Sequence, residues 1–280
     1  MSNGSHQFDP GYSLAPFDAL VANFPGADTY PNPDFRTEWG PVFHRGRLDG
    51  GAVVLVFGQD PGAHEAVVRR ILVGEAGQRI QGFLAKLGIT QRYVMVNTFL
   101  YSVYGQHGGE RHRADPAIAA YRHQWLDALL MGRSVDAVIA LGSLAGQAFG
   151  AWQKTPSGQA TAVAFKQIIH PTFPEGQKTK PRAEATRDLL KNWNDALVSL
   201  RPLIKHPDIV QPTDLYGTKF DEAKDLVQIP EADLPAGLPA WMRSLRSWAQ
   251  RKAVNTGDLA EEKRATIIVR IPKTDRKWLS

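Results

Sequence analysis

The sequence predicts an α/β protein in which a doubly wound, mainly parallel sheet of four strands is flanked by helices in three layers. Two observations carry this prediction. Strand-like apolar runs recur up to about residue 170, and the first, at residues 53–57, is β-branched without polar alternation, as expected of a parallel strand covered on both faces. Helix-length segments separate these runs. With 280 residues, 43% of them hydrophobic, the chain can bury one large core.

Four runs are predicted to form the sheet. They are residues 53–57 (VVLVF), 93–99 (YVMVNTF), 135–142 (VDAVIALG) and 160–170 (ATAVAFKQIIH).

The predicted helices lie between and after these strands. An apolar stripe over residues 80–87 marks the first helix, which ends at Gly88. Asp115 and Pro116 are the expected N-cap and first turn of a second helix, which runs to Leu130. The other predicted helices cover residues 143–149 and about 182–200.

The chain is predicted to divide into an N-terminal extension (residues 1–35), a core (36–202) and a C-terminal extension (203–280) that wraps the core. Prolines interrupt the extension repeatedly between Pro202 and Pro239. Within it, WMRSLRSWAQRK (residues 241–252) is predicted to be a basic amphipathic helix, and residues 265–278 could supply an edge strand.

Composition excludes several kinds of chemistry. The absence of cysteine excludes disulfides, thiolate metal sites, cysteine nucleophiles and cysteine-ligated iron–sulfur clusters, and no clustered histidine and acid spacing suggests a metal. We therefore expect neither a metal nor a cofactor. No apolar run is long enough for a membrane helix, and the first 20 residues lack a signal-peptide pattern. A cytoplasmic monomer without a membrane partner is expected, and the net charge of +5 favours nucleic acid as partner.

Polar side chains follow three of the four predicted strands. Gln59 and Asp60 come after the first, and Asn97 lies at the end of the second. His170 follows the fourth. Ligands of open α/β sheets bind beyond the carboxyl ends of strands, so these side chains could meet in one crevice. Each also has a local explanation: Asp60 as a turn residue, Asn97 as an amide bonded to backbone, and His170 as a surface residue before Pro171.

These motifs resemble the uracil-DNA glycosylase superfamily over roughly residues 36–200. GQDPG (58–62) is similar to the first motif of the family 1 enzymes, and HPT (170–172) to the superfamily's histidine motif. GEAG (74–77) and VNTF (96–99) look like the family 4 type instead, so the chain is a hybrid. Family 4 enzymes carry a glutamate where Gln59 stands and a four-cysteine iron–sulfur cluster. This chain has neither, which implies a cluster-free member.

The resemblance implies a monofunctional uracil-DNA glycosylase, a hydrolase that flips uracil out of DNA, releases it as free uracil and leaves an abasic site for base excision repair. Cleavage produces a cationic sugar and a uracil anion. Asp60 would stabilise the sugar and orient water, while His170, neutral or protonated, and the Gln59 backbone N–H would donate to uracil O2. Asn97 would accept from uracil N3–H and donate to O4. Such an enzyme in a bacterial cell would be cytoplasmic and associate with the nucleoid through DNA.

Two other functions remain open at this point. One is a non-catalytic or product-retaining binder of uracil-containing or abasic DNA on the same fold. The other is an unrelated nucleotide-binding α/β protein, although no glycine-rich phosphate-binding motif is present.

The resemblance also implies a uracil pocket with two departures from the known families. Gly62 replaces the tyrosine with which family 1 enzymes reject the thymine methyl group. Leu72 replaces the aromatic residue that stacks on uracil in family 4, so Phe43 or Tyr101 could take that role. The expected uracil-binding residues are Gly58, Gln59, Gly62, Leu72 and Asn97.

Basic residues around the predicted crevice could hold DNA phosphates, although a solvated loop face would explain each as well. Phe173 stands near the position of a wedge residue that enters the base stack, or it packs on the body. RRIL (69–72) resembles the arginine-bearing loop of a branch that crosslinks to DNA through a histidine, but no histidine stands beside Ile71. We expect no covalent capture. The expected DNA-binding residues are Arg69, Arg70, Arg111, Arg113, Phe173, Lys178, Lys180 and Arg182.

Overall fold

A computed structural model describes residues 12–104, 108–212, 214–251 and 260–276. Its strands are β1 (Phe35–Arg36), β2 (His44–Gly46), β3 (Val54–Gly58), β4 (Tyr93–Asn97), β5 (Ser102–Val103), β6 (Ala137–Leu141), β7 (Ala164–Ile168), β8 (Ala249–Arg251) and β9 (Ile267–Val269). Its helices are α1 (Phe17–Ala22), α2 (Ala63–Val68), α3 (Glu75–Lys86), α4 (Gly108–His112), α5 (Pro116–Leu130), α6 (Gly142–Gln153), α7 (Pro156–Ala160), α8 (Phe173–Gly176), α9 (Arg182–Leu200), α10 (Glu222–Asp225) and α11 (Ala260–Ala265).

The central sheet has five strands in the order β2-β4-β3-β6-β7. The four predicted strands are all present and parallel to one another, which confirms the α/β fold class. The fifth strand, β2, was not predicted and pairs antiparallel with β4 at the edge. Its sequence is His-Arg-Gly, so no apolar run marks it.

Alternate residues of the central strands point to opposite faces of the sheet. In β3, Leu55 and Phe57 pack in a cluster that includes apolar residues of α1, α5 and α6. Val54 and Val56 pack in a second cluster with apolar residues of α3 and α9. The helices therefore lie on both faces, as a doubly wound fold requires.

Helix ends follow the predicted local chemistry. Asp115 accepts hydrogen bonds from the backbone N–H groups of Ala117 and Ile118, which caps α5. Gly88 adopts a φ of +79° just after α3, a conformation that glycine accepts without strain. Both boundaries, and the start and end of α9, confirm the prediction.

The predicted amphipathic helix at residues 241–252 is wrong within the part of the chain that is described. Ala240–Arg243 form a 3-10 turn, and β8 pairs antiparallel with β9 in a separate two-stranded sheet. Trp241 and Trp248 meet edge to face with ring centroids 5.4 Å apart. They meet because the chain bends back between them. Their spacing of seven residues also fits one face of a helix, so the sequence does not distinguish the two arrangements. Acidic partners also face the arginines of this stretch, with Arg243 2.8 Å from Glu231.

The C-terminal extension lies along the core. Asp208 accepts hydrogen bonds from the three backbone N–H groups of residues 90–92 at 2.7, 2.8 and 3.0 Å. Further along, Asp233 forms a 2.8 Å ion pair with Arg45 of β2. Among the helices described, none is both long and apolar enough to cross a membrane.

Candidate active site

The carboxyl ends of β4, β3, β6 and β7 lie side by side at one edge of the sheet. Gly58 of β3 is in register with Asn97 of β4. The loops beyond them are joined, because the Phe99 N–H donates to the Gln59 carbonyl at 2.8 Å. Along the chain, β3 is followed by β4, its neighbour on one side in the sheet, and then by β6, its neighbour on the other side. Strand order therefore reverses beside β3, the place where open α/β sheets bind ligands.

Asp60 lies just beyond β3 with 15% of its side chain exposed. The Val103 N–H of β5 donates to Oδ2 at 2.9 Å, and Gln59 Nε2 donates to Oδ1 at 3.2 Å. Arg251 Nη2 lies 3.7 Å from Oδ2. Burial raises the pKa of Asp60, while Arg251 and the two hydrogen bonds lower it. The site thus holds a desolvated carboxylate in a fixed orientation.

A second carboxylate, Glu65 of α2, has a structural role. It accepts hydrogen bonds from the backbone N–H groups of Gly62, Val73 and Gly74 at 3.0, 3.1 and 3.4 Å. These bonds cap α2 and join it to the loop before α3. Asp60 is therefore the acid whose surroundings suit chemistry.

His170 lies beyond β7 as a neutral imidazole. Its Nδ1 accepts from the Thr172 N–H at 3.2 Å and from the Thr172 hydroxyl at 3.1 Å. Burial lowers the pKa of His170 to about 4. Because a backbone N–H can only donate, Nδ1 carries no proton, and the imidazole proton resides on Nε2.

Arg79 of α3, which was not predicted as a site residue, fixes the loop that carries His170. Its guanidinium donates to the Pro171 carbonyl at 2.5 Å and to Glu175 at 2.9 and 3.1 Å. It also pairs with Glu75, one helical turn earlier. The i,i+4 spacing of Glu75 and Arg79 was the signal available in the sequence, although it does not indicate that Arg79 also binds the loop after β7.

A cleft of about 330 Å³ opens between the ends of β3, β6 and β7. Its size is at the lower end for small-molecule sites, which suits one planar ring. It brings together three predicted residues: Gln59, His170 and Phe173. Polar residues that were not predicted, among them Ser143, Gln167 and Asn192, also line it.

Asn97 and Gly58 touch at the adjoining strand ends. A Cβ on Gly58 would lie 2.2 Å from Asn97 Oδ1, so glycine is required where the amide lies. Asn97 is almost fully buried, and its amide lies against Gly58 at the end of the neighbouring strand.

The other predicted uracil-binding positions are more enclosed. A side chain at Gly62 would begin 2.8 Å from Glu65 Oε2 and disturb the α2 cap. Leu72 is buried in the cluster under α3 and α9, with a φ of +55°. Phe43 and Tyr101, the alternative stacking residues, are buried in the cluster on the opposite face.

Two of the predicted DNA-binding residues serve packing. Arg69 donates to the carbonyls of Trp39, at 2.6 Å, and Pro41. Arg70 is buried and donates to the Arg69 carbonyl at 2.8 Å. The Arg69 guanidinium therefore holds the loop at residues 39–41, and Arg70 is enclosed beside it.

The remaining predicted DNA-binding residues lie nearer the surface. Phe173 begins α8, half-buried against the cluster under α3 and α9, and Lys178 is exposed in the loop after α8. The other four form ion pairs: Arg111 with Asp34, Arg113 with Glu110, Lys180 with Asp188 and Arg182 with Glu175. The pairs of Arg113 and Lys180 lie at the surface and contribute only about 0–1 kcal/mol, so phosphates can replace their acids at little cost. Asp34 is buried, so its pair with Arg111 is not of this kind.

A family model described as the uracil DNA glycosylase superfamily matches residues 46–198, more than half of the chain. The match contains β3, β4, β6 and β7 together with Asp60, Asn97 and His170. Among curated proteins, none matches this chain. The motifs, the fold and the family match agree: the chain belongs to the uracil DNA glycosylase superfamily.

Proposed function

We propose that this protein is a monofunctional glycosylase that hydrolyses the N-glycosidic bond of uracil in DNA and leaves an abasic site. Membership of the superfamily supports a glycosylase acting on DNA. The observation that carries the finer proposal is the orientation of His170, whose Nδ1 accepts from the Thr172 N–H and which lies at the same sheet edge as the largely buried carboxylate of Asp60. We further propose that it acts as a cytoplasmic monomer.

His170 is suited to the leaving group. Cleavage of the bond places negative charge on uracil, part of it on O2. The Nε2–H of His170 would donate to this oxygen without transferring its proton, since the imidazole is already neutral. Arg79 and Thr172 hold the ring in place, so little reorganisation is needed when charge develops.

Asp60 is suited to the sugar. A sugar that loses its base gains positive charge at C1′, which a nearby carboxylate stabilises, and the same carboxylate can orient the attacking water. Its hydrogen bonds from Val103 and Gln59 fix the direction of its two oxygens.

Asn97 is suited to base selection. Its amide would accept from uracil N3–H and donate to O4, whereas cytosine presents the opposite pattern at these atoms. A wrong base would leave buried polar groups unpaired at a cost of about 1–3 kcal/mol each. Flipping the base out costs a few kcal/mol, and least when uracil is mispaired or unpaired.

The test is an oligonucleotide with a single uracil, incubated with the purified protein and then cleaved with alkali at abasic sites. We expect strand breaks at uracil and none in matched cytosine and thymine oligonucleotides. Asp60→Asn should excise at least about 100-fold more slowly, because one well-placed catalytic group is lost. Tight binding of uracil-containing DNA without any breaks would reject the proposal in favour of a non-catalytic binder.

A further inference from the structure

The C-terminal extension reaches the strand-end site through β8. Its residues lie outside the segment that matches the family model. Arg251, the last residue of β8, donates to Ser102 Oγ at 2.9 Å and lies 3.7 Å from Asp60 Oδ2. Ser102 belongs to β5, and the next residue, Val103, donates its N–H to the same carboxylate oxygen. The core thus supplies the hydrogen bond to Asp60, and the extension supplies the opposite charge.

The position of β8 is fixed by α2, the helix that follows the Asp60 motif. His64 Nε2 accepts from the backbone N–H groups of Trp248 and Ala249, both at 3.2 Å. The Trp248 ring lies edge to face on His64, with centroids 4.7 Å apart, and is buried with Ala63 and Val68 of α2. Arg251 therefore stands on an anchored strand, although 42% of its side chain is exposed.

The other charged groups around Asp60 have different partners. Arg36 of β1 donates to the Val103 carbonyl at 2.5 Å, and its guanidinium lies between the rings of Trp39 and Tyr104 at 4.8 and 4.7 Å. Glu65 of α2 adds a negative charge that disfavours ionisation of Asp60. Among the residues that the structure describes, Arg251 is the cation nearest to the Asp60 carboxylate, where its charge offsets burial and the charge of Glu65.

We propose that Arg251 is a positioning residue of this site, which keeps Asp60 ionised while DNA is bound. The inference rests on the proposed glycosylase function, in which Asp60 must be negative to stabilise the sugar cation. Bound DNA places phosphates near the carboxylate, and each added negative charge favours protonation of Asp60. A guanidinium within about 4 Å opposes this effect.

The test compares Arg251→Gln with Arg251→Lys and with Arg246→Gln as matched control. Arg246 belongs to the same extension and pairs with exposed Glu222 at 3.5 Å. We measure single-turnover excision between about pH 4.5 and 8, with enzyme in excess, and DNA affinity at each pH. Removal of the cation raises the pKa of Asp60. The acid limb of the pH–rate profile, which is the fall in excision rate at low pH, should therefore move to higher pH by about one unit in Arg251→Gln. Affinity should change little, Arg251→Lys should restore most of the shift, and Arg246→Gln should match the wild type.

Two outcomes would overturn the inference. An unmoved acid limb with weaker binding and a flatter salt dependence would make Arg251 a phosphate contact. No change in either measurement would leave it without a role at the site.

A separate readout keeps this inference distinct from the proposed function. Carbon NMR of the Asp60 carboxyl, assigned with Asp60→Asn, gives the Asp60 pKa in the free protein with and without Arg251. If the wild type excises nothing, the proposed function fails, yet an Asp60 pKa that rises in Arg251→Gln still supports the coupling. An equal pKa in wild type, Arg251→Gln and Arg251→Lys would reject it whatever the activity.

Discussion

At the scale of single residues, the protonation state of His170 predicts how excision depends on pH. Its Nδ1 accepts two hydrogen bonds from Thr172, and burial lowers its pKa to about 4. The imidazole is therefore neutral throughout the physiological range. A depressed pKa also means that the unfolded chain binds the proton more tightly than the folded one.

We expect excision to stay level from about pH 6 to 8, because the neutral donor does not change there. A rate that falls about tenfold per pH unit above about 6.5, the usual pKa of histidine, would show that the imidazolium donates instead. Stability should fall as pH decreases from about 6.5 towards 4, since the unfolded chain gains the proton first. His170→Asn should weaken this fall, as measured by urea denaturation at several pH values.

Asn97 supports a second prediction at this scale. Asn97→Ala removes the amide proposed to read uracil N3–H and O4, so excision should fall by about 5- to 150-fold for each lost hydrogen bond, or about 1–3 kcal/mol each. Binding to undamaged DNA should be nearly unchanged, because phosphate contacts dominate it. Both are measurable by single-turnover kinetics and fluorescence anisotropy. Equal losses in the two assays would show that Asn97 supports the fold.

At the scale of elements, the GEAG stretch owes its second glycine to close packing. Gly77 lies in the first turn of α3, where a Cβ would come 1.6 Å from the Leu72 carbonyl oxygen. Leu72 itself has a φ of +55°. The helix start and the preceding loop therefore approach as closely as backbones can, and any side chain at position 77 must force them apart.

We expect Gly77→Ala to lower the free energy of unfolding by about 1–3 kcal/mol, the usual cost of overpacking, as seen in the urea denaturation midpoint. Gly150→Ala is the control, because Gly150 lies in α6 with open space around its Cα. There alanine should stabilise by up to about 1 kcal/mol through helix propensity. A neutral Gly77→Ala would show that the loop before α3 yields easily.

Elements were predictable where a local pattern decides them. Apolar runs identified β3, β4 and β6, and a run interrupted by Lys166 and Gln167 identified β7. The Asp115 cap and Gly88 set helix ends. β2 could not be found, because its strand conformation comes from pairing with β4 and not from its own His-Arg-Gly sequence. The contacts of Arg79 and Arg251 were hidden for the same reason: each partner lies far away in the chain.

At the scale of the whole molecule, a buried ion pair joins the C-terminal extension to the sheet. Arg45 and Asp233 lie 2.8 Å apart with both side chains fully inaccessible to solvent. Tyr93 also donates to Asp233, and Gln81 accepts from Arg45 at 3.2 Å. Such a pair is weak evidence of net stability, since desolvation of two charges offsets their attraction. Its value lies in where it holds the extension, which later supplies Arg251.

We expect Asp233→Ala to cost about 3–5 kcal/mol of unfolding free energy, because it leaves the Arg45 charge buried without its acid. Urea denaturation measures this loss, and Glu222→Gln, which breaks an exposed pair with Arg246, should cost no more than about 1 kcal/mol. The double variant Arg45→Met with Asp233→Leu should recover most of the stability, since an apolar replacement of both charges avoids desolvation.

If the extension carries Arg251 to Asp60, Asp233→Ala should also move the acid limb of excision towards higher pH, at a temperature where the variant remains folded. A destabilised variant with an unmoved acid limb would show that β8 holds its place through α2 alone.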